Sequence, residues 1–222
     1  MCESRQVRLI HHITHIEHLP RIIGEGGLVC DSEAAKRNLC SKSIAYSAIK
    51  ERRAITPVQN IRGEKVAAGG MLSDYVPFYF CNRSPMLAAI HKGLVPGYDE
   101  GQSHVIYLVS SAEAVANTDR IWCFTDGHGV EGLTEFYDDL ADLDEVDWNA
   151  VETWRWGGRW LMQDPDVKRK KQAEFLVHAK CPWELVDRIV VLDGTIAEKV
   201  RNILISAVHR PRVTVEPKLY YN

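Results

Sequence analysis

The chain has 222 residues, 45% of them hydrophobic, and a formal net charge of −3. That length suits a single domain spanning 1–222, and the apolar share excludes a disordered chain. The charge excludes a globally basic nucleic-acid binder, so any contact with nucleic acid has to come from a local patch.

Leu9-Ile10 begins a predicted strand. Ile16, Leu19, Ile22 and Ile23 then recur at helical spacing, and Gly26-Gly27 stops that helix. Residues 31–70 are polar with few strong signals and read as a long irregular stretch. Val76 to Phe80 is a dense aromatic strand, and Ser84-Pro85 opens a helix as N-cap and first-turn proline. Val105 to Val109 and Ile121 to Phe124 are predicted strands, and Asp126-Gly127 is a turn. Residues 131–152 are acidic and loop-rich, with a short helix expected near 134–140. Phe175 to Val177 and Ile189 to Leu192 are further strands. Gly194-Thr195 precedes a helix with Ile196, Val200, Ile203, Leu204 and Ala207 on one side, and Val213 to Val215 closes the sheet. Strands and helices do not alternate strictly, so the expected class is α+β.

The six cysteines (2, 30, 40, 81, 123, 181) contain no CxxC pair and read as free thiols. MCESRQVRL holds no apolar signal core, and no run approaches 18 apolar residues. The expectation is a cytoplasmic protein with no membrane span.

One segment carries most of the chemistry. In KRKKQAEFLVH (168–178), a basic run leads into Glu174, which opens an apolar strand. A strand aims the carboxylate from a rigid edge. Four cations just before it, Lys168 and Arg169 foremost, offer contacts to phosphate. Such a pairing suits chemistry in which positive charge develops on a sugar attached to phosphates. IAYSAIKERR (44–53) ends in adjacent arginines that can grip a pyrophosphate or a carboxylate. In DYVPFYF (74–80) side chains alternate faces, so Tyr75 and Tyr79 are not expected in the core together with Phe78 and Phe80. One tyrosine is left to stack on a nicotinamide or a base. HHITHIEH (11–18) has four histidines, but no cysteine or carboxylate completes a recognisable ligand set, so no metal is expected. There is no GxxxxGK[ST], GxSxG or HExxH.

Taken together, HITHIEHLPRIIGEGGLVCD (12–31), SIAYSAIKERR (43–53), DYVPFYFCNRSPM (74–86), HVIYLVSS (104–111), FTDGH (124–128) and KKQAEFLVH (170–178) resemble the DarT family of DNA ADP-ribosyltransferase toxins. The resemblance implies a fold like the poly(ADP-ribose) polymerase catalytic domain, with central antiparallel sheets and flanking helices. It implies NAD as co-substrate, single-stranded DNA as acceptor and a DarG-type antitoxin as partner, with the chain itself a monomer. Glu174 and Arg53 become the implied catalytic residues, and His12, Thr14 and Tyr79 the implied NAD contacts. Met86 and His128 fall beside the target base.

The chemistry is consistent with that assignment. Loss of nicotinamide leaves oxocarbenium character on the ribose, which a carboxylate bonded to a ribose hydroxyl stabilises. Arginine holds its proton too tightly to be a good base, so Arg53 is read as a cation beside the developing thymine anion. Pairing hides the thymine ring nitrogen in a duplex, so a single strand is the expected substrate. Two alternatives stand beside this reading: the same transfer to guanine, and a non-catalytic single-strand binding module that uses the basic run and the aromatics.

Overall fold

The computed structural model describes residues 7–39, 42–154 and 156–222, apart from the side chains of 159 and 160. Cys2 and Cys40 lie outside the described residues; Cys30, Cys81, Cys123 and Cys181 are buried free thiols. The strands are β1 (Leu9–His15), β2 (Gly27–Val29), β3 (Tyr75–Tyr79), β4 (Val105–Ser111), β5 (Trp122–Thr125), β6 (Phe136–Tyr137), β7 (Glu174–His178), β8 (Lys180–Pro182), β9 (Arg188–Val191) and β10 (Arg212–Val215). Eight of them form one sheet in the order β10-β9-β4-β1-β3-β7-β5-β6, and β2 pairs with β8. Pairing in the large sheet is antiparallel except between β9 and β10.

The order follows from the side chains. Val105 to Val109 are apolar at every position and buried on both faces, which places β4 inside the sheet between β1 and β9. On one face Ile10, Phe78, Leu108, Phe175 and Ile189 belong to one core with α8 (Gly194–Leu204), whose Ile196, Val200 and Leu204 form the buried stripe. The Asp193 carboxylate accepts from Ile196 N at 2.9 Å and caps that helix. On the other face Ile13, Tyr107, Val109 and Tyr220 meet Leu87 and Ile90 of α4 (Pro85–His91). Ser84 caps α4 and Pro85 occupies its first turn, as the sequence predicts.

Short helices fill the connections: α1 (Leu19–Gly24), α2 (Asp31–Lys36), α3 (Ser47–Ile55), α5 (Ala112–Ala116), α6 (Trp148–Glu152) and α7 (Val167–Lys170). Two expectations need correction. The stretch 31–70 is not irregular throughout, since it carries α2 and α3. The helix expected near 134–140 is absent: Phe136–Tyr137 is strand β6, paired with β5 through Phe124↔Tyr137 and Thr125↔Phe136, and a 3-10 turn follows at Leu140–Glu145. Stacking of Phe124 on Tyr137, with ring centroids 5.2 Å apart, supports the strand over local helix propensity.

One irregularity positions the site. β1 pairs with β4 along its whole length, from Leu9↔Ser111 to His15↔Val105, but with β3 only at His11↔Tyr79. Pro77 in β3 has no N–H to give, and its carbonyl accepts instead from His12 Nδ1 at 2.8 Å. β1 and β3 stop pairing there, and a cavity lies against them. β3 keeps full register with β7 on its other side, ending at Tyr79↔Glu174.

Candidate active site

Glu174 opens β7 opposite Tyr79 and is 1% exposed. Its backbone N–H donates to Thr125 Oγ1 at 3.0 Å, and the Thr125 hydroxyl donates to the Gly127 carbonyl at 2.7 Å. Arg53 reaches the carboxylate from α3: its Nη1 donates to Glu174 Oε2 at 2.7 Å, and both side chains are buried. Successive residues on a helix point about 100° apart, so Arg53 faces inward. Arg52 faces outward, to the Val130 carbonyl at 2.6 Å and the Glu131 carboxylate at 3.2 Å. Burial opposes the charge on Arg53, but the Glu174 carboxylate outweighs it and holds the guanidinium above its ordinary value. The buried Arg53 Nε has no hydrogen-bond partner.

The TDGH turn approaches the second carboxylate oxygen. Gly129 N–H donates to Glu174 Oε1 at 3.4 Å, and His128 Nε2 stands 3.8 Å from the same atom. Burial lowers the His128 pKa, so this imidazole is neutral at neutral pH.

His12, Thr14, His18, Arg53, Tyr79, Met86 and His128 line one cavity. A second, wider cleft is lined by Arg52, Pro85, Leu133, Trp156, Lys168 and Arg169, and it shares Ala45, Ile49, Tyr79, Met86 and His128 with the first. Tyr79, Met86 and His128 therefore stand on the boundary, with the Tyr79 hydroxyl 3.9 Å from Met86 Sδ. Glu174 lines neither cavity, whereas Arg53 and His128, at its two oxygens, both face the first. The residues singled out in distant segments are thus brought to one place. Tyr75 is not free to stack on anything: it is fully buried, and its hydroxyl donates to the Gly69 carbonyl at 2.9 Å. At Tyr75 both faces of β3 are covered, and the cavity opens only further along the same face, at Pro77 and Tyr79.

The basic run is not four free cations. Arg169 is tied to Asp166 and Asp126, and Lys170 to Asp147 and Asp164. Lys171 is buried and donates to the carbonyls of Val151 and Thr153 at 2.9 and 2.7 Å. Burial pushes its pKa down. Lys168 alone is exposed and forms no ion pair among the described residues.

Sequence reasoning passed over three site features. His18 lines the first cavity, with Nδ1 3.0 Å from Thr14 Oγ1 and a buried Nε2 that has no partner. Its place four residues after Thr14 was the available signal. Thr125 acts through a hydroxyl bonded to the backbone of Glu174 and Gly127, and Gly129 through its own N–H, and no motif spacing reveals either. Among the four N-terminal histidines, His15 meets Glu100 and His104, which sit far along the chain. His15 Nδ1 accepts from Glu17 N, so Nε2 carries the ring proton and donates to Glu100 Oε2 at 3.1 Å. Lys42 also donates to Glu100.

A family profile described as "ssDNA thymidine ADP-ribosyltransferase, DarT" matches residues 11–221. The chain belongs to the DarT family. The DNA ADP-ribosyl transferase of Thermus sp. (strain 2.9) is 40% identical over 214 residues, covering 96% of this chain and 95% of that protein. The structure of Thermus sp. 2.9 DarT in complex with ADP-ribosylated ssDNA matches with a TM-score of 0.86 and 39% identity, over 96% of each chain. The same protein in complex with NAD+ matches with a TM-score of 0.84 and 36% identity, over 99% of this chain and 100% of that one. The α+β architecture with its large, mostly antiparallel sheet is that of the solved DarT enzymes.

Proposed function

We propose that this single domain transfers ADP-ribose from NAD to a ring nitrogen of thymine in single-stranded DNA, with Glu174 and Arg53 as the catalytic pair. The chain is an NAD-dependent DNA ADP-ribosyltransferase of the DarT family. The observation that carries the residue roles is the buried 2.7 Å Arg53–Glu174 contact beside the boundary of two cavities.

In this reading NAD occupies the first cavity and the DNA strand the second. His12 donates through Nδ1 to Pro77, so Nε2 is left as an acceptor for a ribose hydroxyl. Burial lowers its pKa, so it stays neutral. Thr14 offers a hydroxyl, and Tyr79 offers its ring to the nicotinamide. Burial raises the Tyr79 pKa, so its hydroxyl remains protonated. The bond from ribose C1′ to the nicotinamide nitrogen breaks with its electron pair, which releases neutral nicotinamide. Glu174 stabilises the positive charge left on the ribose. The thymine nitrogen forms the new bond to C1′ and gives up its proton to solvent water. Arg53 is held fully protonated by Glu174, so it acts as a cation beside the developing thymine anion. Met86 and His128, on the boundary, shape the seat of the base.

The chain would be a cytoplasmic toxin that works as a monomer and is countered by a DarG-type antitoxin. No helix among the described residues is long and apolar enough to cross a membrane. The acceptor is tested with single-stranded oligonucleotides holding one thymine or one guanine, and with their duplexes. Modification of the thymine strand alone is expected. Modification of the guanine strand, or equal modification of duplex, overturns the acceptor assignment.

His128→Ala should keep NAD-dependent thermal protection and lose thymine transfer, since the histidine sits on the boundary shared with the second cleft. Loss of both would move it into the NAD site. Lys168→Ala should weaken binding of every single-stranded sequence alike and flatten the salt slope by about 0.7, because it is the free cation of the run. A change in base preference with the slope intact would contradict that role.

A further inference from the structure

The carboxylate of Glu174 is touched by a turn, and a turn has to be held still to be useful. Thr125 ties that turn to β7 from the inside, between Glu174 N and the Gly127 carbonyl. Arg169 ties it from the outside. Arg169 Nη1 donates to both Asp126 carboxylate oxygens at 3.1 Å and to Thr134 Oγ1 at 3.2 Å. The Arg169 carbonyl accepts His128 N–H at 3.0 Å, and Thr134 Oγ1 donates to the His128 carbonyl at 2.9 Å. Gly127 lies so close to the guanidinium that a Cβ there would run into Arg169 Nη1. On its far side the guanidinium is held by Asp166, through Nε at 2.8 Å and Nη2 at 2.7 Å.

All three guanidinium nitrogens are therefore engaged, and two carboxylates already balance its charge. A phosphate would have to displace one of them. We propose that Arg169 is a positioning residue, which braces the Asp126–Gly129 turn so that Gly129 N–H and His128 stay on the Glu174 carboxylate, and not a contact for DNA phosphate. This rests on the proposed catalytic role of Glu174. Asp126 is its partner in the brace, and its loss should mimic loss of Arg169. A phosphate contact would behave oppositely, because removing a competing acid would free the cation.

The test uses the full chain with a single-thymine oligonucleotide and saturating NAD, comparing Asp126→Asn, Arg169→Ala, the double variant and Glu174→Gln. Displacing a reacting group by about 1 Å costs on the order of 10²-fold in rate. Both single variants should thus lower kcat by roughly 10- to 100-fold, while KM for DNA and the salt slope of binding stay as in the parent. The double variant should be no slower than the slower single, as for two ends of one contact. A flattened salt slope in Arg169→Ala with kcat intact in Asp126→Asn overturns the proposal. So does a lower melting temperature with unchanged kcat per folded molecule. Should Arg169→Ala fail to fold, Asp126→Asn, nearly isosteric, decides the question through kcat alone. Full activity in Glu174→Gln would defeat the catalytic reading itself. An inactive Glu174→Gln beside fully active brace variants would defeat this inference only.

Discussion

Glu174→Gln is expected to lose transfer by a factor of at least about 10²–10³ while keeping its fold. Glutamine has almost the shape of glutamate, so Thr125 can still hold its backbone and Gly129 N–H can still find an oxygen. In the proposed role, what disappears is the negative charge that stabilises the ribose as nicotinamide leaves. That charge matters more in the transition state than in the ground state, so kcat should fall further than NAD affinity. Thermal protection by NAD should therefore persist. A variant that transfers near the parent rate would remove Glu174 from the chemistry.

Arg53→Ala is expected to be the most damaging change to activity and stability together. The guanidinium is buried with the carboxylate at 2.7 Å, and among the described residues no other cation is paired with Glu174 apart from the His128 ring if protonated. Removing one partner of a buried pair strands the other charge at a cost of about 3–5 kcal/mol. For a chain of this size that lowers the melting temperature by roughly 10 °C. The double variant Arg53→Ala/Glu174→Gln removes the stranded charge, so it should melt above Arg53→Ala while remaining inactive. Arg52→Ala should show neither effect at comparable size, because its side chain and that of Glu131 are both largely exposed and its other bond goes to a backbone carbonyl. Equal behaviour of Arg52→Ala and Arg53→Ala would mean that the inward-facing arginine has been misassigned.

The strands were legible where side-chain patterning is local. Val105 to Val109 and Phe175 to Val177 are apolar runs that can only be interior, and Ser84-Pro85 signals its helix by itself. α3 was not legible, because SAIKERRAI has no apolar stripe and its buried residue is an arginine. That arginine is satisfied by a carboxylate 121 residues away, which periodicity cannot register. The basic run misled for the same reason. Arg169 and Lys170 look like free charge until the fold brings Asp126, Asp166, Asp147 and Asp164 against them, and Lys171 is buried on two backbone carbonyls. The acidic stretch around 138–147 acquires its meaning there too. Asp138 accepts Ala67 N at 2.9 Å, and Asp147 both caps α6 through Ala150 N and pairs with Lys170. Most segments named by family resemblance converge on one site, but the contacts of Thr125, Gly129 and Arg169 run across the turn between residues far apart in the chain.

The most direct test of the central claim is mass spectrometry of a short single-stranded oligonucleotide with one thymine, incubated with NAD and either the parent protein or Glu174→Gln, with released nicotinamide measured in the same tubes. The parent should add one ADP-ribosyl group to the thymine and release nicotinamide in equal amount. Glu174→Gln should do neither while still being stabilised by NAD. Nicotinamide release without any gain in oligonucleotide mass, or equal modification by both proteins, would contradict the account.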